Sequence, residues 1–453
     1  MEFVYFTERP YRGLSEDEIL ANGSFFGISN ARFDRALAAD DYNRYLDQYD
    51  YAERVGFDGV ALNEHHGNPF CMGAVMNIEA AILARMTDNV RIYLIGNPIP
   101  AHRNPIRLAE ELAEIDLISR GRLVTGWLRG SGPEQFFNNV NPAFNRELFE
   151  EAHDLIIQAW TRPGPWRYEG KHFHYRHVNP WVLPYQQPIP AAVVPGVLSG
   201  ETIKWAADRG YPYVGLATAL GPTAELWESY ADNLAERGLQ AGPENFGYVC
   251  HVHVAESNEE AQEVGRNFLF ANGNGNFAPA AYTLPAGYNS ASAIRRLASR
   301  PRGGWLGIDQ SKLDGNGKDG GDVNGQDRLA GQKAKALEDW NQQQHQLTMI
   351  AGTPDHVIER IKLVMRLLRP GTLFVSAVFG VVTHEARVTN LRLLGEHVLP
   401  ELRAYADEIG LPGMFERQPG SVKIPEGATR QPISDSSVLE EIAAFQAGAS
   451  IAR

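Results

Sequence analysis

Eight short apolar segments, each followed by an amphipathic one, constrain this 453-residue chain more than any other feature. The apolar runs are Phe3–Phe6, Gly59–Leu62, Val90–Ile95, Leu123–Trp127, Ala191–Val194, Tyr213–Ala217, Tyr248–Val254 and Leu373–Phe379. Runs of this length without polar alternation suit strands buried on both faces, as in a parallel sheet. Helical periodicity covers Asp40–Val55, Pro105–Ile118, Arg146–Trp160, Glu201–Arg209, Thr223–Arg237, Glu259–Ala271 and Pro354–Leu368. Pro105 and Pro354 sit where a first helical turn tolerates proline, and Thr353 is the expected N-cap of the last helix. Eight strand–helix units predict an α/β fold, a TIM (β/α)8 barrel with insertions and a C-terminal extension, rather than an open doubly wound sheet.

Two insertions interrupt the alternation. Residues 161–188 are rich in proline and aromatics and read as irregular structure. Residues 272–346 hold glycine-rich stretches and are expected to fold across the barrel mouth as a lid or to pack on a neighbouring chain, anchored by Trp305, Leu306, Ile308 and Trp340. The barrel is expected to span 1–406 and the tail 407–453, with a short helical run at Ser437–Ala447 packing on the barrel or a partner.

Charge and cysteine usage exclude several function classes. A formal charge of −13 without a basic stripe argues against nucleic acid and anionic membranes. Cys71 and Cys250 are far apart, which argues against disulfide scaffolds and thiolate metal sites. The N-terminus lacks a basic n-region and a long apolar h-region, and no apolar run reaches membrane-spanning length. A cytoplasmic protein without a signal peptide is expected.

Chemistry is expected where strands end. The second strand runs from Gly59 into Asn63, Glu64, His65 and His66, so a carboxylate and two imidazoles emerge at a sheet edge. Adjacent residues face opposite sides, so His65 is expected to point into the mouth while His66 serves structure. The third strand ends in Gly96, Asn97 and Pro98, a tight backbone with an amide suited to a heteroaromatic edge, or else a plain turn. Arg129 closes the fourth strand among glycines and can pair with phosphate. After the fifth strand, Leu198, Ser199, Gly200 and Thr202 open a helix whose free N–H groups suit an anion, although Ser and Thr are also ordinary caps. Arg129, Ser199 and Thr202 are expected to converge on one phosphate. His251-Val252-His253 has chelating spacing but no companion ligands, so no metal is expected.

Taken together, Gly56–His66, Asn104–Glu111, Asp116–Leu123, Gly126–Gly130, Val194–Thr202 and Trp205–Gly210 resemble the bacterial luciferase-like superfamily of flavin-dependent monooxygenases. The resemblance covers residues 1–255 and 347–405. It implies a barrel that binds reduced FMN at its C-terminal mouth, O2 as co-substrate, a small organic substrate, a separate flavin reductase and a homodimer. By the same resemblance His65 is the catalytic histidine, Arg129 the phosphate arginine, and Leu198, Ser199, Gly200 and Thr202 the phosphate loop. The Gly96/Asn97 region matches a strand whose peptide, often cis, lies against the flavin ring. Leu128 stands where the luciferase α chain has a reactive cysteine, which departs from light emission. Two other readings stay open: a deazaflavin-dependent hydride-transfer enzyme, and a non-catalytic flavin-binding partner subunit.

Overall fold

The computed structural model describes residues 1–22, 25–197, 199–266, 287, 325–377, 382–415 and 440–444. Twelve strands appear among them: β1 Glu2–Phe6, β2 Gly59–Leu62, β3 Arg91–Leu94, β4 Asn97–Pro98, β5 Leu123–Leu128, β6 Trp166–Glu169, β7 His174–Val178, β8 Ala191–Gly196, β9 Tyr213–Leu216, β10 Phe246–Val254, β11 Met349–Gly352 and β12 Thr372–Ser376. Eight of them pair in parallel in the order β1-β2-β3-β5-β8-β9-β10-β12, and β12 returns to β1. This is a closed (β/α)8 barrel. Its eight strands are the eight apolar runs, because a strand buried by helices outside and side chains inside carries no polar alternation. The last run stops at Ser376 rather than Phe379, and residues 378–381 lie outside the described residues.

Thirteen α-helices are described: α1 Glu16–Asn22, α2 Arg35–Arg54, α3 Met76–Met86, α4 Pro105–Ser119, α5 Gly132–Phe137, α6 Asn145–Thr161, α7 Gly200–Arg209, α8 Leu220–Ala235, α9 Asn258–Arg266, α10 Gly325–His345, α11 Pro354–Leu368, α12 His384–Leu393 and α13 Leu399–Glu408. Thr353 does precede α11 in extended geometry, but its hydroxyl makes no capping bond; its N–H donates to Asn258 Oδ1 instead.

Arg122 explains why the turn before β5 reads as it does. Arg120 and Gly121 take left-handed backbone, which ends α4 sharply. The Arg122 guanidinium then donates to the carbonyls of Ala84, Thr87, Val90 and Ser119, tying the ends of α3 and α4 to the start of β3. These bonds satisfy helix-end carbonyls that would otherwise lack partners.

Two segments differ from expectation, and a third shows how the tail meets the barrel. Residues 161–188 are not wholly irregular: β6 and β7 form an antiparallel hairpin with a register shift, and Tyr175 Oη donates to Asn104 at the start of α4. Short strands with few apolar residues gave no periodic signal there. Second, β11 lies outside the ring and extends the C-terminal half of β10, pairing Met349–Gly352 with His251–Val254. Third, residues just past 407 close the N-terminal end of the barrel, with Met414 and Phe415 packed into the interior cluster and Leu411 O accepting from the Met1 amine.

Of the 272–346 insertion, α10 is described, while Trp305, Leu306 and Ile308 lie outside the described residues. Trp340 is 1% exposed and belongs to a cluster with Tyr11, Phe25, Phe70 and Met72, all from segments that follow the C-terminal ends of β1 and β2. In the tail, Glu441 pairs with Arg366 of α11 and Ile442 is buried beside it.

Candidate active site at the barrel mouth

The barrel interior is apolar at one end and polar at the other. Val4, Phe6, Ala61, Tyr93, Val249 and Phe374 point inward. Two residues further along the same strands stand Glu8, Asn63, His251 and Ser376, all buried. Alternation thus turns the inner surface polar at the C-terminal mouth, where loops can supply more groups.

His65 sits among two carboxylates from different loops. Its Nδ1 is 2.8 Å from Glu134 Oε1 and its Nε2 is 3.7 Å from Glu8 Oε2. Asn63 Nδ2 donates to Glu8, and Arg9 donates to the Asn63 carbonyl at 2.6 Å, which holds the first two strand ends together. Glu134 is fixed as well, because it accepts from the Ser131 N–H and hydroxyl in a capping box at the start of α5. Burial alone would lower the His65 pKa, but Glu134 and then Glu8 carry it above its ordinary value. Burial pushes the Glu8 carboxyl up, against the pull of His65, Asn63 and Arg9. The cluster can hold and pass a proton near neutral pH.

His66 is engaged elsewhere. It contacts Glu64 at 3.1 Å and stacks on Phe137 with ring centroids 5.2 Å apart. Burial would raise the Glu64 carboxyl, yet the His102 and His66 imidazoles bring it down to about 2. Glu64 is therefore a fixed anion that clamps two imidazoles.

Asn97 lies opposite a backbone crossing. The Ile95–Gly96 peptide is cis, and a Cβ on Gly96 would come within 2.6 Å of the Gly126 carbonyl, so only glycine fits. Asn97 is fully buried and neither end of its amide has a partner among the described residues. A buried amide left unpaired costs about 1–3 kcal/mol, so such a group commonly awaits a ligand.

Arg129 is half-buried, and its carbonyl accepts from Asn145 at the start of α6. Its charge, after burial, is what lowers the Arg146 pKa. Arg146 in turn pairs with Glu201 at 2.9 Å, in the first turn of α7. Ser199 caps α7 by accepting from Thr202 N, so the bland reading of this serine is realised in the structure. Gly200 opens the helix, and Leu198 lies outside the described residues. Arg129 thus lies near enough to Arg146 for its charge to act there, and Arg146 is tied to the first turn of α7 through Glu201. Sequence reasoning missed Arg146, Glu8 and Glu134. The Ser131–Glu134 capping-box spacing could have marked Glu134 as a cap at most, and nothing local links it to His65, 69 positions away.

Glu134→Gln tests the dyad, since glutamine at that position preserves the capping box while removing the charge. The His65 pKa, followed by NMR titration of its ring, should fall relative to wild type. The sign follows from linkage. A raised folded-state value adds stability that is complete below the unfolded pKa of about 6.5 and is lost as pH rises through the folded value. The melting-temperature gap between wild type and Glu134→Gln should therefore narrow as pH rises past that point. An unchanged His65 titration would remove Glu134 from this role.

The model of the luciferase-like monooxygenase family matches residues 23–368. The alkanal monooxygenase beta chain of Photorhabdus luminescens is 25% identical over 227 residues, covering 49% of this chain and 68% of that one. The alpha chain from Photobacterium leiognathi is 27% identical over 222 residues, covering 48% and 61%. Among solved structures, the oxygenating constituent of 3,6-diketocamphane monooxygenase from Pseudomonas putida, in complex with FMN, superimposes with a TM-score of 0.61 at 18% identity over 88% of this chain and 98% of that one. An F420-dependent secondary alcohol dehydrogenase gives a TM-score of 0.55 at 16% identity over 89% and 99%. At such identities these structures speak to the fold alone, but the family model spans most of the chain: it belongs to the luciferase-like monooxygenase family.

Proposed function

We propose that this protein is the oxygenase component of a two-component system, using reduced FMN from a separate reductase and O2 to oxygenate a small organic substrate. The carrying observation is the unpartnered, fully buried amide of Asn97 beside a backbone crossing that only glycine permits. A flat heteroaromatic edge with N–H and C=O groups matches that amide. Arg129 and Arg146 at the α7 start would hold the FMN phosphate, with N–H groups of Gly200 and Glu201 completing the anion pocket. The bound flavin supplies the oxygen activation. Asn97 orients the ring, and His65 moves a proton at its imidazole while Glu134 sets its orientation. The cluster of segments around Trp340 would keep water from the mouth.

Incubating the protein with reduced FMN, candidate substrates and labelled oxygen, followed by mass spectrometry, tests this reading. It requires one labelled oxygen atom in the product. Hydride transfer from a reduced deazaflavin with no oxygen incorporated would favour the dehydrogenase reading, which the F420-dependent neighbour supports at the level of fold. Absence of any substrate-dependent oxygen use would favour a partner subunit, although His65, Glu8 and Glu134 already form an acid–base cluster.

We also propose a homodimer through α3. Val75, Ile78, Ile82 and Met86 lie at helical spacing and are 53, 62, 38 and 41% exposed. One helix presenting such a stripe suits a two-fold contact with its own copy. Wild type should sediment as a dimer and Ile82→Asp as a folded monomer. A monomeric wild type would end the idea.

A further inference from the structure

The two histidines of β10 face the mouth. Val249 belongs to the interior cluster, while Tyr248, Cys250 and Val252 pack outward, so alternation turns His251 and His253 inward. β10 stands directly across the barrel from β3, four strands away in either direction. The register fixes relative height. Going one way, paired residues lead from His251 through Ser376, Phe6 and Ala61 to Tyr93, four residues short of Asn97. Going the other way, they lead from Phe246, five residues before His251, through Tyr213 to Val194, whose predecessor Val193 pairs with Gly126; the residue after Gly126, Trp127, is the partner of Asn97. The paths differ because the strands tilt, and equal tilt on both sides sets Asn97 at about the height of His251. His253 lies one inward step nearer the opening. It is 4% exposed and makes no hydrogen bond to the described residues.

A barrel of this kind is filled by side chains up to its C-terminal mouth, and ligands lie there, between the groups that the strand ends present. A molecule that lies across the mouth and satisfies the Asn97 amide is thereby brought to the β10 wall. We propose that His253 is a direct, uncharged hydrogen-bond contact to the ring system of the cofactor held in this mouth. The assignment rests on the flavin reading above. Burial, with the Arg387 charge nearby, pulls the His253 pKa down to about 4, so at neutral pH the imidazole both donates and accepts. That matches a ring edge with alternating N–H and C=O groups.

Oxidised FMN is the probe, titrated by absorbance into wild type, His253→Leu and His253→Asn. His253→Leu should bind roughly three- to tenfold more weakly, the range of one neutral hydrogen bond, and its bound flavin band should move relative to wild type. His253→Asn, which keeps a donor and an acceptor, should recover part of both. Wild-type affinity and an unmoved band in both variants would overturn the proposal, even if Arg129→Ala weakens binding as expected. A wild-type protein that binds no FMN would instead fail the flavin reading itself, and this contact with it.

Discussion

Replacing His65 by alanine should leave FMN affinity nearly intact while cutting product per reduced flavin by about a hundredfold or more, the usual contribution of a positioned acid or base. The released hydrogen peroxide should rise correspondingly. The phosphate pocket around Arg129, Arg146 and α7 is built from other strands, so binding does not depend on this ring. His65→Ala also removes the group that stands between Glu8 and Glu134, leaving two carboxylates with less compensation. One of them should take up a proton, and the melting temperature should fall modestly. His65→Gln separates the effects, since it keeps a hydrogen-bonding side chain that cannot titrate. If His65→Ala turns over at wild-type rate with full coupling, His65 is a packing residue.

Arg129→Ala and Arg146→Ala should each weaken FMN binding roughly ten- to hundredfold, as hydrogen bonds to charged groups contribute about 1.5–3 kcal/mol. Riboflavin, which lacks the phosphate, distinguishes a phosphate contact from a general loss of shape. Its affinity should be nearly unchanged in both variants. Higher salt should narrow the FMN difference between wild type and variant, because the pocket is partly open to solvent. Variants that bind FMN as tightly as wild type, or that lose riboflavin equally, would place the phosphate elsewhere. The pairing of Arg146 with Glu201 predicts one asymmetry: Arg146→Ala also frees a carboxylate at the α7 start, so its loss should be the larger.

Several features were legible because they are local. A buried strand writes itself as a short apolar run, so all eight barrel strands could be read from the chain. The start of α11 followed from Pro354. Strand ends marked where polar groups would gather. Other features were not legible because no local pattern carries them. The β6–β7 hairpin carries little apolar surface, and β11, though buried throughout, is too short to declare its partner. Met414 and Phe415 looked like tail sequence, yet they plug the barrel, because what they fill is a void made by eight distant strands.

The order of strands and helices, and thus a barrel with a polar mouth, came from the sequence by itself, since hydrophobic periodicity is a property of neighbours in the chain. Which groups meet in that mouth was decided only in three dimensions. Glu134 reaches His65, the charge of Arg129 acts on Arg146, and Asn97 stands across from His251, through closure and tilt of a sheet whose partners lie far apart in sequence. His251 and His253, read along the chain, were a chelating spacing without companions. Their meaning changed once alternation and register set them on the inner wall, opposite a buried amide that has no partner among the described residues. Pairing energies depend on distance and burial, and neither is fixed before the barrel closes.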